Sequence, residues 1–246
     1  MDVVGALDST VSQWWLLGLL GLWALLLGGG FVVGPTNAER TRRIPLWGRL
    51  GSSAVLVVAG WSWWWFSRST TAGSVGLCLA LGMTLGLVGD VFMAKIIPVK
   101  QPIIGGMSAF GLGHVAYIVG LLGLGRSVAA DGTLRWAAWL VWLGLGAAGW
   151  YIVVWRGSRR GPLQRAALPY ALLLASTTGI ATGVVLIAPG LWPLAVGAAL
   201  FLFSDLVLAT QLFNDAHWPF IGDVVWLTYG PGQMLIVYGM AAVLAL

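Results

Sequence analysis

Charge is scarce in this chain. Only 9% of its 246 residues are Asp, Glu, Lys or Arg, against 59% hydrophobic residues. A water-soluble domain carries roughly 25% charged residues, so a soluble fold is excluded and the apolar excess must face lipid. Cysteine is nearly absent too: Cys78 stands alone, which excludes an internal disulfide and any cysteine-built metal centre. Glu39 is the only glutamate, and His114 and His217 are the only histidines. A zinc site wants three or four ligands, more than the histidines supply, and the one trio conceivable for a metal is His114 with Asp90 and Asp205. No lysine falls inside an apolar run, which removes a retinal Schiff base. No Gly-x-Ser-x-Gly elbow occurs, since Gly106-Met107-Ser108-Ala109-Phe110 lacks the closing glycine. No Gly-x4-Gly-Lys phosphate loop occurs either. The N-terminus, Met1-Asp2-Val3-Val4, has an acid where a secretory signal has bases, so no cleaved signal peptide is expected.

What is present is a succession of apolar runs. About 20 such residues in a helix cross a bilayer core, and eight runs of that length lie at about 11–33, 47–67, 73–94, 105–125, 134–155, 166–188, 191–213 and 221–245. The expected fold is all-α, a single polytopic membrane domain of eight transmembrane helices spanning 1–246. Gly34-Pro35, Pro98, Pro102, Gly161-Pro162 and Pro189-Gly190 mark the breaks. Short connections predict that sequential helices pack as antiparallel neighbours. Net charge is +5, and the bases cluster. Arg40, Arg42, Arg43 and Arg49 fall in the first loop, Lys95 and Lys100 in the third, and Arg156, Arg159, Arg160 and Arg165 in the fifth. The positive-inside rule then puts odd loops in the cytoplasm and both termini outside, so the basic excess is no evidence for nucleic acid. The plasma membrane is the expected location. The 16 tryptophans, among them the Trp61-Ser62-Trp63-Trp64-Trp65 run, read as interface anchors and lipid-facing bulk. Gly82-x3-Gly86 and Gly179-x3-Gly183 read as helix contacts.

An internal echo relates the halves. Val88-Gly89-Asp90 in the third run matches Phe203-Ser204-Asp205 in the seventh at an offset of 115, and the same offset carries the basic first loop onto the basic fifth. The pattern is that of a 4+4 parallel repeat, which would put both carboxylates at similar depth.

Charges inside a span are costly and mark function. Asp2 and Asp8 precede the first run, and Asp131 and Asp215 lie in loops, which leaves Asp90, Asp205 and Asp223. At 1.5 Å per residue Asp90 lies about 7 Å and Asp205 about 13 Å below the cytoplasmic boundary, with Asp223 opening the last helix on that side. One reading makes each aspartate a helix lock bonded to a neighbouring hydroxyl. The other makes Asp90 and Asp205 a pair in one apolar cavity, sharing a proton as one acid and one carboxylate, the equipment of general acid–base catalysis. His114 and Tyr117 lie three apart on one helical face, as do Tyr229 and Gln233 four apart, with Pro231 and Gly232 between them to bend the helix. Together they outline a polar pocket among the third, fourth, seventh and eighth helices.

Four patches also resemble a known family. Leu87-Val88-Gly89-Asp90-Val91-Phe92-Met93, Gly106 through Tyr117, Leu200-Phe201-Leu202-Phe203-Ser204-Asp205 and Tyr229-x3-Gln233 are together similar to the YhhN family of lysoplasmalogenases. The Lys-Pro pair usual after that family's first helix is represented only by Arg43-Ile44-Pro45. The resemblance implies an integral membrane hydrolase that cleaves the vinyl ether bond of lysoplasmalogens, single-chain lipids with a phosphoethanolamine or phosphocholine head, to a fatty aldehyde and a glycerophospho-base. Asp90 and Asp205 would be the catalytic pair, joined by His114. Tyr117, Tyr229, Gln233, Ser204 and Asp223 would contact substrate, and Arg42, Arg43 and Lys95 would meet the lipid phosphate. The reading calls for no metal or organic cofactor, and its partners are the lysophospholipid and the bilayer. A proton-coupled transporter of a small or lipid-like substrate is the alternative that buried aspartates allow, and a non-catalytic scaffold would leave them unexplained.

Overall fold

The computed structural model describes residue 7 and residues 9–128, 132–156 and 161–246. Asp2, Asp8, Asp131, Arg159 and Arg160 lie outside the described residues. The described chain is helical, in eight long rods. α1 runs from Thr10 to Val33, α2 is Leu46–Ser67, α3 is Gly73–Met93 and α4 is Pro102–Ser127. α5 covers Thr133–Trp155, α6 is Pro162–Val185, α7 is Pro189–Asn214 and α8 runs from Ile221 to Leu244. Seven of these are long and apolar enough to cross a membrane. α2, at 22 residues, is as long, but its serines, Arg49 and tryptophans dilute its hydropathy. The protein is a multi-pass membrane protein.

Two helices begin earlier than the apolar runs suggested. Pro102 and Pro162 start α4 and α6 instead of ending the preceding loops, because a first-turn N–H has no intrahelical partner for proline to remove. Pro231 does not break α8, whose first segment continues to Tyr238 before Gly239 and a short Met240–Leu244 turn of helix. α1 and α5 each carry a π-helical stretch toward their C-terminal ends, Leu25–Gly29 and Trp150–Trp155. Trp14, Trp15, Trp65, Trp136 and Trp192 are exposed at one end of the bundle, and Trp47 and Trp218 at the other. Trp23 and Trp63 are buried in the core instead, so the tryptophans are not all anchors.

Consecutive helices pack side by side, except α4 and α5, which meet chiefly where Arg135 reaches Gly125. Three further contacts join the halves: α2 against α8, α4 against α6 and, more lightly, α3 against α8. Shifting each helix by four maps the α2–α8 contact onto the α4–α6 contact, as a parallel repeat would have it. The equivalence extends to residues. Gly82 of α3 seats the ring of Tyr117 from α4. At an offset of 115, Gly197 of α7 meets Gly232 of α8, where an added Cβ would lie 2.6 Å from the Gly232 carbonyl oxygen. The two glycine motifs therefore differ in use. Gly179 and Gly183 admit the α5 backbone at Trp139 and Arg135, as expected of helix contacts, whereas Gly82 and Gly86 seat the side chains of Tyr117 and Gln233.

The close α7–α8 approach makes a clean stability test. Gly197→Ala must push two backbones apart, and overpacking of this kind costs about 1–3 kcal/mol. Gly18→Ala, with nothing within 4 Å of its Cβ, removes only glycine's conformational entropy and should stabilise by roughly 0.5–1 kcal/mol. Thermal unfolding followed by circular dichroism should move in opposite directions for the two variants.

Candidate active site

Asp90 sits in the last turn of α3, 4% exposed. Burial without partners would be costly, and the surrounding helices supply two. Ser53 Oγ of α2 donates to Asp90 Oδ2 at 2.6 Å, and the Tyr229 hydroxyl of α8 donates to the same oxygen at 3.1 Å. A chain of donors stands behind the tyrosine. The Tyr117 hydroxyl donates to Gln233 Oε1 at 2.8 Å, and Gln233 Nε2 donates to the Tyr229 hydroxyl at 3.4 Å. Every hydrogen in this series points toward Asp90. Gly86 leaves room for it: an added Cβ would lie 2.9 Å from Gln233 Nε2.

Asp205 of α7 is half-buried and accepts a short hydrogen bond from the hydroxyl of Tyr170 on α6. Both aspartates line one cavity of about 250 Å³ at the end of the bundle where the basic loops lie. Arg42, Arg49, Gln211 and Tyr229 complete its polar wall. Asp205 also lines a second, larger hollow of about 400 Å³, bounded by α4, α5, α6 and α7 and almost wholly apolar. Met93, Phe110, Leu208 and Leu212 are common to both, so the two spaces adjoin at Asp205. Leu145, Phe203 and Leu206 of the apolar hollow are also exposed on the outside of the bundle, so its wall is part of the lipid-facing surface.

Several expected site residues stand elsewhere. His114 is buried behind the cavity wall. Its Nδ1 bonds to Thr177 Oγ1 at 2.9 Å, its ring packs on Phe201 with centroids 4.6 Å apart, and it lines neither hollow. Its ring also stands 6.4 Å from that of Tyr170, which does line the larger hollow. Tyr117 and Gln233 act through Tyr229, as described. Ser204 is fully buried and its hydroxyl returns to the Phe201 carbonyl at 2.7 Å, satisfied within its own helix. Both carboxylate oxygens of Asp223 are taken by backbone, Oδ2 by Arg43 N–H at 2.7 Å and Oδ1 by Ile44 N–H at 2.9 Å. Asp223 thus ties the first loop to α8. The Arg43 guanidinium caps α1, donating to Val32 O at 2.8 Å and Gly34 O at 3.3 Å. Lys95 is exposed in a left-handed turn and lines neither hollow. The His114–Asp90–Asp205 trio does not assemble, and among the described residues no three His, Cys, Asp or Glu side chains gather as metal ligands.

Two residues of the site, Ser53 and Tyr170, carried no mark in the sequence, and Arg49 stood there only as one base of the first loop. The available signal was spacing. Arg49 and Ser53 lie four apart and so share a face of α2, and both point to Asp90's end of the bundle.

Residues 49–240 match the YhhN family. The chain belongs to the YhhN family. The match begins at Arg49 and takes in Ser53, Asp90, Tyr170, Asp205 and Tyr229, so a YhhN protein's matched region here contains both carboxyl groups with their hydroxyl partners. No curated protein and no solved structure matches the chain.

Proposed function

We propose that this YhhN protein is a membrane hydrolase of lysoplasmalogens, cleaving the vinyl ether bond with Asp90 and Asp205 as acid and base. The observation that carries the reading is that these two side chains, from separate helices, line one cavity. Vinyl ethers hydrolyse by protonation of the β-carbon, the slow step. A carboxylic acid gives up its proton to that carbon and the double-bond electrons form the new C–H bond, leaving an oxocarbenium ion. Water adds to the α-carbon and the other carboxylate takes its proton. The hemiacetal then breaks its bond to the glycerol oxygen, which leaves with a proton as the alcohol, while the former water oxygen becomes the aldehyde carbonyl. One water is consumed and no redox change occurs. Paired carboxylates perform the same service around a glycosidic bond.

The surroundings divide the roles. Asp90 receives two hydroxyl donors and suits the carboxylate that steadies the cation and takes the water's proton. Asp205 stands where polar and apolar spaces meet, beside the position of the first chain carbons, and suits the proton donor. By the positive-inside rule the cavity faces the cytoplasm.

The test is turnover. Protein purified in detergent and given a lysoplasmalogen should release a fatty aldehyde and glycerophosphoethanolamine, with a slower rate in heavy water because the proton moves in the slow step. A transporter would show nothing without a sealed compartment, so no aldehyde in detergent, with movement of substrate into sealed vesicles, would replace the hydrolase reading.

A further inference from the structure

The two adjoining hollows differ in chemistry as the two ends of a single-chain phospholipid do. The smaller holds Arg42 and Arg49. Arg49 Nε is buried without a hydrogen-bond partner, and its guanidinium lies 5.6 Å from the centroid of Trp226, which fixes its direction. A buried guanidinium donor without an acceptor is costly, and a planar fork of this kind suits a phosphate. The larger hollow offers a methyl-lined wall and, in Asp205 and Tyr170, carboxyl and hydroxyl groups that already bond to each other.

We propose that one lysophospholipid lies across both, its phosphate on Arg42 and Arg49 and its hydrocarbon chain in the α4–α7 groove, entering through the lipid-facing wall at Leu145, Phe203 and Leu206. Asp205 then marks the point where glycerol gives way to chain. The assignment rests on the hydrolase reading only for which lipid is bound. It adds the residues that recognise the phosphate and those that measure the chain. Arg49, four residues before Ser53, is placed by α2 alongside Asp90. Ala171 of α6 and Ala209 of α7 are small residues of the groove, where a larger side chain would shorten the space.

Binding, not turnover, tests this. The probe is a saturated alkyl lysophospholipid, which has no vinyl bond to cleave, titrated in a phosphate-free maltoside detergent. Expressed as mole fraction in the micelle, affinity should hold on a plateau while the chain fits the groove and fall once it is too long, because each methylene leaves one apolar surrounding for another. Arg49→Gln and Arg42→Gln should each weaken it at least about tenfold, as loss of a charged hydrogen bond does, while an alkylglycerol lacking phosphate binds wild type and variants alike. Ala171→Phe or Ala209→Phe should move the end of the plateau to shorter chains. Leu145→Ala, at a lipid-exposed position that tolerates trimming, should move it to longer ones. Inorganic phosphate binding as tightly as the lipid would overturn the proposal in favour of a free-anion site. So would an arginine effect equal for alkylglycerol, or a plateau unmoved by all three groove variants. Normal, arginine-dependent lipid binding without aldehyde release sinks the hydrolase reading alone; aldehyde release with binding indifferent to these residues sinks this one alone.

Discussion

Asp90→Asn and Asp205→Asn should each lower aldehyde release from lysoplasmalogen by at least about 100-fold, the smaller end of what a positioned acid or base contributes. Asparagine keeps the shape of the side chain and one acceptor oxygen, so Ser53 and Tyr229 retain a partner at position 90 and Tyr170 at position 205. The folded structure should survive, with unfolding temperatures near wild type. The double variant should be little worse than the poorer single one, because an acid and a base serving one reaction act as a unit. Affinity for the unreactive alkyl lipid should hold in both, which separates loss of chemistry from loss of binding. A helix-locking role alone would leave turnover near normal in both variants, because asparagine keeps the acceptor that the lock needs. Near-normal rates in both single variants would end the acid–base assignment.

Asp223→Ala should produce the largest loss of stability. Asp223 is 1% exposed and takes the backbone N–H groups of Arg43 and Ile44 at the entry to α2. A hydrogen bond to a charged group contributes about 1.5–3 kcal/mol, and alanine leaves two donors without their acceptor, the one at Ile44 buried. A loss of about 3–5 kcal/mol follows, which for a protein of this size lowers the unfolding temperature by roughly 10 °C. Asp223→Asn keeps one acceptor and should lose about half as much. Circular dichroism melts of the three proteins in one detergent check the order. An alanine variant as stable as wild type would mean that the first loop is held by its other ties, among them Gly222 N–H to Thr41 O at 2.8 Å and Phe220 N–H to Arg40 O at 3.0 Å.

The helices were legible because a bilayer imposes a length and a composition that eight runs satisfy. Helix starts at Pro102 and Pro162 were not, because proline opens a helix as readily as it ends a loop. Asp90 and Asp205 stood out because acids are rare in such runs, and Tyr229 because it shares a face with Gln233. Ser53 and Tyr170 had no such contrast: each lies among residues of ordinary type for a membrane helix, and only the packing of α2 on α3 and of α6 on α7 brings their hydroxyls to the aspartates. The same blindness misplaced the cations. Arg43 and Arg49 both belong to the basic first loop in sequence, yet the turn into α2 sends Arg43 back to cap α1 and carries Arg49 into the cavity. Asp223 stood out as an acid opening the last helix and was expected to contact substrate, but the backbone donors that occupy it come from residues about 180 positions away.

The outward exposure of Leu145, Phe203 and Leu206 on the groove's wall bears on how rates must be expressed. A lipid entering there is drawn from the plane of its neighbours and never crosses water, so the relevant concentration is its mole fraction among surrounding amphiphiles. Adding inert detergent at constant total substrate should slow the reaction, whereas diluting the whole mixture with buffer should leave the rate per enzyme unchanged.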